Sequence, residues 1–162
     1  MFPTLFVAKK EVQQWPILGW LAMLGRTIFV DRNSFRGTSE AVDEVETALQ
    51  LHNNVLVFPE GTSTTGERVL PFHPSFFTAP IHTSSAVLPI SIVYKRINNS
   101  TINKKNNSIV CWYGSMTFID HFWNVLKQKS IDVEVKIHRY EYCQPIDEAK
   151  ALAKKFHDII AY

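Results

Sequence analysis

The sequence has few cysteines and little excess charge of either sign. Its two cysteines, Cys111 and Cys143, lie far apart and form no C-x-x-C pair. This excludes a disulfide framework, gives no sign of a zinc site and fits a reducing cytosol. Seventeen Lys and Arg against fifteen Asp and Glu leave a net charge of +2, too small to indicate nucleic acid as a partner. Any anion-binding site must therefore be local.

Long apolar runs are also absent. No run approaches the roughly 18 residues that a membrane span needs, and the longest candidate extends from Trp15 to Leu24. The start of the chain has no basic region ahead of its apolar stretch and no small-residue cleavage site, which argues against a signal peptide. We therefore expect no segment that crosses a bilayer, while contact with a bilayer surface stays open.

The composition is otherwise typical of a packed domain. Apolar residues make up 46% of the chain and charged residues 20%, close to the averages of soluble globular proteins. These values exclude the disordered, collagen-like and coiled-coil classes. Because 162 residues suit one hydrophobic core, we predict a single domain over residues 1–162.

Segments with strand composition alternate with segments of helical periodicity as far as residue 93. The predicted strands are 5–8, 27–30, 54–58 and 86–93. The predicted helices are 15–24, 41–49 and 75–81, the second following a polar loop 33–38 with Thr38 or Ser39 as its cap. This alternation predicts an α/β fold with a mainly parallel sheet and helices on both of its faces.

The second half of the sequence is less regular. Residues 97–108 are rich in Asn and Lys and lack apolar periodicity, which predicts a surface loop. Residues 109–113 and 131–138 have strand composition, and the alternation in the latter predicts an antiparallel or edge strand. Residues 147–162 predict a closing amphipathic helix.

Polar residues follow two of the predicted strands at their carboxyl ends, where open α/β sheets bind ligands. They are Arg32 after strand 27–30, and Glu60, Gly61, Thr62 and Ser63 after strand 54–58. Gly61 lets the backbone approach a ligand, and hydroxyls such as those of Thr62 and Ser63 suit a phosphate. The guanidinium of Arg32 can bind a phosphate through two parallel hydrogen bonds. On residue chemistry alone, an ordinary turn and a surface arginine explain these residues equally well.

The same positions resemble the glycerophosphate and lysophospholipid acyltransferases. Three segments are similar to the second, third and fourth conserved blocks of that family, namely Gly25 to Arg32, Phe58 to Thr62 and Val87 to Ile90. The lead-in segments Phe6 to Glu11 and Trp15 to Trp20 also match, with the spacing of bacterial 1-acylglycerol-3-phosphate acyltransferases. The resemblance covers residues 5 to about 95 and implies an acyltransferase-like α/β domain.

The resemblance implies a membrane-associated enzyme of phospholipid biosynthesis. In that family a fatty acyl group passes from acyl-CoA or acyl carrier protein to the hydroxyl of a lysophospholipid such as 1-acylglycerol-3-phosphate. Neither metal nor cofactor is implied, and the partners would be the lysophospholipid acceptor, the acyl donor and the cytoplasmic face of a membrane, bound peripherally. Carried onto this chain, the substrate-binding residues would be Arg32, Glu60, Gly61, Thr62 and Ser63, while Val87 to Ile90 would shape the site.

One departure from the family concerns catalysis. Members use the histidine of an H-x-x-x-x-D motif as general base, and none of the six histidines here has an aspartate five positions on. In relatives the motif precedes the segment that matches Phe6 to Lys10, so we expect Met1 to be internal to a truncated domain. We assign no catalytic residue and expect the chain to be inactive alone. The alternative is a non-catalytic remnant that binds phospholipid or acyl chains.

A second departure lies in Leu70 to Ser75, where His73 and Ser75 replace a Lys and a Gly of many relatives. His73 is the histidine nearest the proposed pocket in sequence, but without an aspartate partner a structural role is favoured. We also expect helix 15–24 to meet a membrane or to line an acyl tunnel, with packing in the core as the alternative. A truncated sheet should expose an edge or an apolar face.

Overall fold

The computed structural model describes residues 4–15, 17–31 and 34–161. Its first half alternates strands with helices, as the sequence predicts. The elements are β1 (Thr4–Lys9), a 3-10 helix (Lys10–Gln14), α1 (Leu18–Leu24), β2 (Ile28–Val30), α2 (Phe35–Gln50) and β3 (Asn54–Leu56). The second half begins with a 3-10 helix that continues into α3. Its elements are that 3-10 helix (Pro74–Phe77), α3 (Thr78–His82), β4 (Ala86–Val87), β5 (Ile90–Ile97), β6 (Ser100–Thr101), a 3-10 helix (Asn107–Ile109), α4 (Phe118–Leu126), β7 (Ile131–Ile137), β8 (Glu141–Tyr142) and α5 (Ala149–Ala161).

The first three strands form the parallel part of the sheet structure. β1 lies in the middle and pairs in parallel with β2 on one side and β3 on the other. The remaining strands pair antiparallel, β5 with β7 and β6, and β4 with β8. The α/β class is therefore confirmed, and so is the antiparallel strand expected within residues 131–138.

The predicted strand 86–93 is divided in two. β4 ends at Val87 and β5 begins at Ile90, and the two segments pair with different strands. Pro89 lies in the break, where its missing N–H cannot contribute to a ladder. Its carbonyl oxygen instead accepts a 3.0 Å hydrogen bond from the backbone N–H of His138.

The start of α2 differs from the prediction. The helix begins at Phe35, and Ser34 is its N-cap, with Oγ accepting a 3.2 Å hydrogen bond from the N–H of Gly37. The loop 33–38 and the Thr38 or Ser39 cap are therefore wrong over the described residues, because Ser34 caps equally well one turn earlier. Gly37 lies in the first turn of α2, close to Asp31. A Cβ at this position would lie only 2.7 Å from Cβ of Asp31, so the close approach favours glycine.

The strand predicted over 109–113 is also wrong. The chain forms a 3-10 turn at Asn107–Ile109, and the N–H of Cys111 donates to the carbonyl of Asn107 at 2.8 Å. Asn107 is buried, and its side-chain amide donates to the carbonyl of Thr65 at 3.0 Å. Satisfying a buried amide outweighs the strand preference of the apolar residues that follow it.

Two apolar clusters form the core. One joins the parallel strands to α2, with Ile28, Val30, Ala41 and Ala48 buried. The other joins α5 to α3 and the 3-10 helix before it, and its buried residues are Phe72, Phe77, Ile81, Cys143, Leu152, Ala153 and Phe156. The rings of Phe77 and Phe156 stack with centroids 5.6 Å apart. The segment that follows the turn after β3 is thus held by the last helix of the chain.

Helix α1 packs closely on the segment before it. The predicted helix 15–24 begins only at Leu18, and Pro16 lies outside the described residues. Gly19 is the buried residue of α1, and a Cβ at this position would lie 2.2 Å from the carbonyl oxygen of Gln13. Only glycine permits this approach. Leu18 is half-buried, and the other large apolar side chains of α1 remain exposed.

Strand edges remain open in the part of the chain that the structure describes. There, β3 pairs only with β1, and Ile90–Tyr94 of β5 pair only with β7. These two strands also carry exposed apolar side chains, among them Ile92, Val135 and Ile137.

Candidate functional site

The turn after β3 is built around Gly61. The N–H of Gly61 donates a 3.0 Å hydrogen bond to the carbonyl of Phe58, and its φ of 69° lies in the left-handed region. Gly61 is buried, and any other residue at this position would be strained by the positive φ. The sequence Phe-Pro-Glu-Gly thus closes a tight turn directly beyond the carboxyl end of a parallel strand.

Glu60 holds the loop that follows this turn. Its Oε2 accepts a 2.8 Å hydrogen bond from the backbone N–H of Leu70, and the carbonyl of Pro59 accepts one from the N–H of His73 at 2.9 Å. These two bonds pull residues 70 and 73 back to the turn. The carboxylate of Glu60 is therefore engaged with the protein backbone.

Replacing Glu60 by Ala should lower the free energy of unfolding by about 1–3 kcal/mol, because the partly buried N–H of Leu70 loses its acceptor. Glu60→Gln keeps an acceptor oxygen and should lose less. Urea unfolding measures both changes. Glu67→Ala is the matched control, since Glu67 lies in the same loop and makes an exposed ion pair with Lys104. Equal losses of unfolding free energy for Glu60→Ala and Glu67→Ala would contradict the role of Glu60 in holding the loop.

Thr62 and Ser63 continue from the turn with exposed side chains. Together with the backbone at Gly61, they offer hydroxyl and amide groups at the carboxyl end of β3, as the sequence indicates. Such groups suit an anionic oxygen. Glu60, Gly61, Thr62 and Ser63 are consecutive around one turn, but only the last two present free-standing polar side chains to solvent.

Arg32 lies outside the described residues. The strand before it, β2, ends at Val30 and runs parallel to β3, so both strands end at the same end of the sheet. β1 separates them, so the two strands lie about 10 Å apart across the sheet. Their ends are also offset along β1, because Val30 pairs with Lys9 whereas Leu56 pairs with Phe6. That Arg32 and Thr62 face one cleft stays a prediction.

An apolar cavity of about 180 Å³ lies between the parallel strands, α2 and α3. Most of its lining is aliphatic, and three polar side chains, Thr38, His73 and Ser75, also contribute. The other lining residues are Val7, Val30, Ala41, Val42, Val45, Val57, Phe76 and Ala79. The cavity was not predicted from the sequence. The apolar stripe of α2 indicates that one face of the helix is buried, but it does not show whether a cavity lies beneath that face. No residue of α1 lines it, so helix 15–24 does not line this cavity.

His73 lines the cavity from an exposed position beside Phe76. It makes no ion pair with a carboxylate in the described part of the chain. Two other histidines do have such partners. His82 Nδ1 lies 2.6 Å from Oε1 of Glu46, joining α3 to α2, and His157 Nδ1 lies 3.1 Å from Oδ1 of Asp158. His157 and Asp158 are adjacent in sequence, and their side chains bend toward each other.

Both cysteines have a raised pKa. Burial raises the pKa of Cys143 to about 11, and the carboxylates of Asp147 and Glu141 act in the same direction. Burial also raises the pKa of Cys111. Neutral, shielded thiols are poor nucleophiles, so no chemistry is assigned to them.

Within the described ranges, no group of three or more His, Cys, Asp or Glu side chains has the geometry of a metal site. None of the helices in those ranges is long and apolar enough to cross a membrane.

Comparison with known proteins identifies the fold and the family. A family model described as Acyltransferase matches residues 2–93, more than half of the chain. The lyso-ornithine lipid O-acyltransferase of Brucella abortus is 32% identical over 157 residues, covering 92% of this chain and 58% of the relative. The 1-acyl-sn-glycerol-3-phosphate acyltransferase of Neisseria gonorrhoeae is 27% identical over 135 residues, covering 83% of this chain and 51% of that relative.

A solved structure gives the same fold. The crystal structure of the 1-acyl-sn-glycerophosphate acyltransferase PlsC from Thermotoga maritima superposes with a TM-score of 0.57 at 19% identity, covering 98% of this chain and 54% of that one. The chain thus spans about half the length of the relatives it matches. The family model covers the turn after β3. This chain belongs to the acyltransferase family.

Proposed function

We propose that this chain is the acceptor-binding part of an enzyme that transfers a fatty acyl group to the hydroxyl of a lysophospholipid. The turn after β3 carries the proposal, because Thr62 and Ser63 extend from a rigid glycine turn at the strand end where α/β sheets bind ligands. The names of the relatives support two acceptors, 1-acyl-sn-glycerol 3-phosphate and lyso-ornithine lipid.

The proposed substrate-binding residues have different tasks. Thr62 and Ser63 would donate hydrogen bonds to the acceptor headgroup, and Arg32 would bind its anionic oxygens from the end of β2. Gly61 would let the backbone approach, and Glu60 would act by keeping the loop to Leu70 in place. The apolar cavity beneath α2 would receive part of an acyl chain.

The proposal extends to the acyl donor and the location. Acyl-CoA or acyl carrier protein would supply the acyl group, without a metal or other cofactor. The enzyme would work as a peripheral protein at the cytoplasmic face of a membrane, where its lysophospholipid acceptor resides.

The second candidate function is binding without transfer. It is favoured by one observation, that none of the six histidines in the 162 residues has an aspartate five positions on. A remnant of this kind would still hold a phospholipid headgroup or an acyl chain at the same turn and cavity.

The test uses a chimera in which a segment carrying H-x-x-x-x-D, taken from an acyltransferase of known activity, precedes residue 4 of this chain. It is assayed for acyl transfer from acyl-CoA and acyl carrier protein to lysophosphatidate and lyso-ornithine lipid. We expect transfer to at least one acceptor. Failure with both, in a chimera that folds, would contradict the enzymatic proposal and leave the binding function.

The acceptor site is tested in the same chimera. The double variant Thr62→Ala with Ser63→Ala should raise the KM for the acceptor by at least about tenfold, since it removes two hydrogen bonds to a charged group. kcat should change little. Ser115→Ala, at another exposed serine, is the matched control. An unchanged KM would remove Thr62 and Ser63 from the site.

A further inference from the structure

An aromatic cluster connects α1 with α4. The ring of Trp15, which precedes α1, stacks on Phe118, the first residue of α4, with centroids 4.4 Å apart. Trp112 contacts both rings edge-on at 5.5 and 5.6 Å. Phe118 in turn contacts Phe122, and Phe122 contacts Trp123. A continuous path of ring contacts therefore runs from the start of α1 along α4.

Both helices present an exposed apolar face with the same spacing. On α1 and the residue before it, this face consists of Ile17, Trp20, Leu21 and Leu24, while the exposed Met23 lies off it. On α4 they are Ile119, Phe122, Trp123 and Leu126. Each set follows the spacing i, i+3, i+4, i+7, which places its members on one side of a helix. We call these eight residues the two-helix surface.

The two-helix surface contains two exposed tryptophans. Trp20 is 74% exposed and Trp123 is 57% exposed. A tryptophan left this open gains nothing from the core of the protein. Its amphipathic ring suits the boundary between water and lipid, where the apolar body is buried and the N–H stays hydrated.

Positive charge lies beyond the ends of both helices. Arg26 follows α1, and Lys127 and Lys129 follow α4, all with exposed side chains. None of the three makes an ion pair in the ranges that the structure describes. α1 contains no charged residue, and α4 contains only Asp120 as an acid. Apolar faces flanked by unpaired cations complement the phosphates of an anionic bilayer.

We propose that α1 and α4 bind together to an anionic lipid surface through the two-helix surface. The choice of lipid rests in part on the proposed function, since an acceptor lysophospholipid is reached from a bilayer. α4 is as important as α1 in this arrangement, because the ring contacts hold the start of α4 against Trp15, in the segment that leads into α1. Binding by both helices would fix the orientation of the domain, which a single short helix could not.

The test measures co-sedimentation of the 162-residue chain with vesicles of mixed phosphatidylglycerol and phosphatidylcholine. Trp20→Ser and Trp123→Ser should each lower the partition coefficient by about tenfold, with circular dichroism confirming that both variants fold. Ile146→Ser and Leu51→Ser are the matched controls. Both residues are exposed apolar positions outside the surface, Ile146 at 91%, and neither substitution should change binding.

The charge contribution is measured separately. Lys127→Glu with Lys129→Glu should weaken binding to the anionic vesicles by at least about tenfold and leave binding to pure phosphatidylcholine unchanged. Quenching of tryptophan fluorescence by lipids brominated in their chains should be strong in the parent and weaker in each tryptophan variant.

Three results would overturn the proposal. The first is an unchanged partition coefficient for Trp123→Ser. The second is an equal loss of vesicle binding in the Ile146→Ser control. The third is self-association without vesicles that the tryptophan variants abolish, which would make the surface an interface between two copies. Because partitioning is measured without turnover, a chimera that acylates no acceptor would contradict the proposed function while this result still decides the two-helix surface.

Discussion

The 162-residue chain should give no detectable acyl transfer, whereas the chimera that restores H-x-x-x-x-D should turn over. A general base contributes about 10²–10⁴-fold to the rate of proton transfer from a hydroxyl. In this chain His73 is the histidine beside the cavity, and it has no carboxylate partner in the described residues to orient it. The measurement is release of coenzyme A in the presence of lysophosphatidate.

The control for this comparison is the same chimera with the histidine of the restored motif replaced by Ala, which should fall to the level of the short chain. Comparable turnover by the short chain would contradict the expectation. His73 would then be the base, and His73→Ala would abolish the activity while His82→Ala, at an ion-paired histidine on α3, would not.

Replacing Phe156 by Ala should lower the free energy of unfolding by about 3–5 kcal/mol. Phe156 is 2% exposed and stacks on Phe77, and among the residues that the structure describes its side chain is the largest that is fully buried. Removing it leaves a cavity between α5 and the 3-10 helix at Pro74–Phe77, which the chain cannot close without moving α5. A loss of this size is a large fraction of the stability of a typical domain.

Urea unfolding followed by circular dichroism checks this expectation. Ile146→Ala is the control, because Ile146 is exposed and its truncation should cost less than about 0.5 kcal/mol. Phe156→Leu keeps most of the volume and should lie between the two. A loss below about 1 kcal/mol for Phe156→Ala would show that α5 does not hold the loop that follows the turn after β3.

Local patterns predicted those parts of the fold in which apolar periodicity and chain geometry agree. β1 and β3 are short apolar segments, and α5 has the spacing of an amphipathic helix. Each lies close to where its pattern places it, although β3 ends at Leu56 rather than at residue 58. The turn after β3 could also be predicted from the sequence, since its positive φ requires the glycine at position 61. The residues proposed to bind the acceptor were likewise named from the sequence, on a resemblance as much as on chemistry.

Elements decided by a single long-range contact could not be predicted. The strand expected at 109–113 is replaced by a turn because Asn107 reaches Thr65, far away in the chain. α4 carries helical spacing at Ile119, Phe122, Trp123 and Leu126, but its position in the fold depends on the contact of Phe118 with the ring of Trp15. The cavity depends on how closely α2 approaches the sheet, a distance that no residue pattern records.

The open edge of β5 bears on how the protein behaves in concentrated solution. Ile90–Tyr94 is an uncharged, β-prone run whose far edge is unpaired within the described residues, so a second molecule can add a strand to it. Lys95 follows the run directly but is ion-paired with Glu134 at 2.8 Å. Arg96 comes next in the strand, and Lys136 lies across from Ser91 on β7. Arg96 and Lys136 repel an approaching copy at low ionic strength, and added salt weakens that repulsion within a Debye length. Dilute, low-salt buffer is accordingly the medium in which this chain stays dispersed.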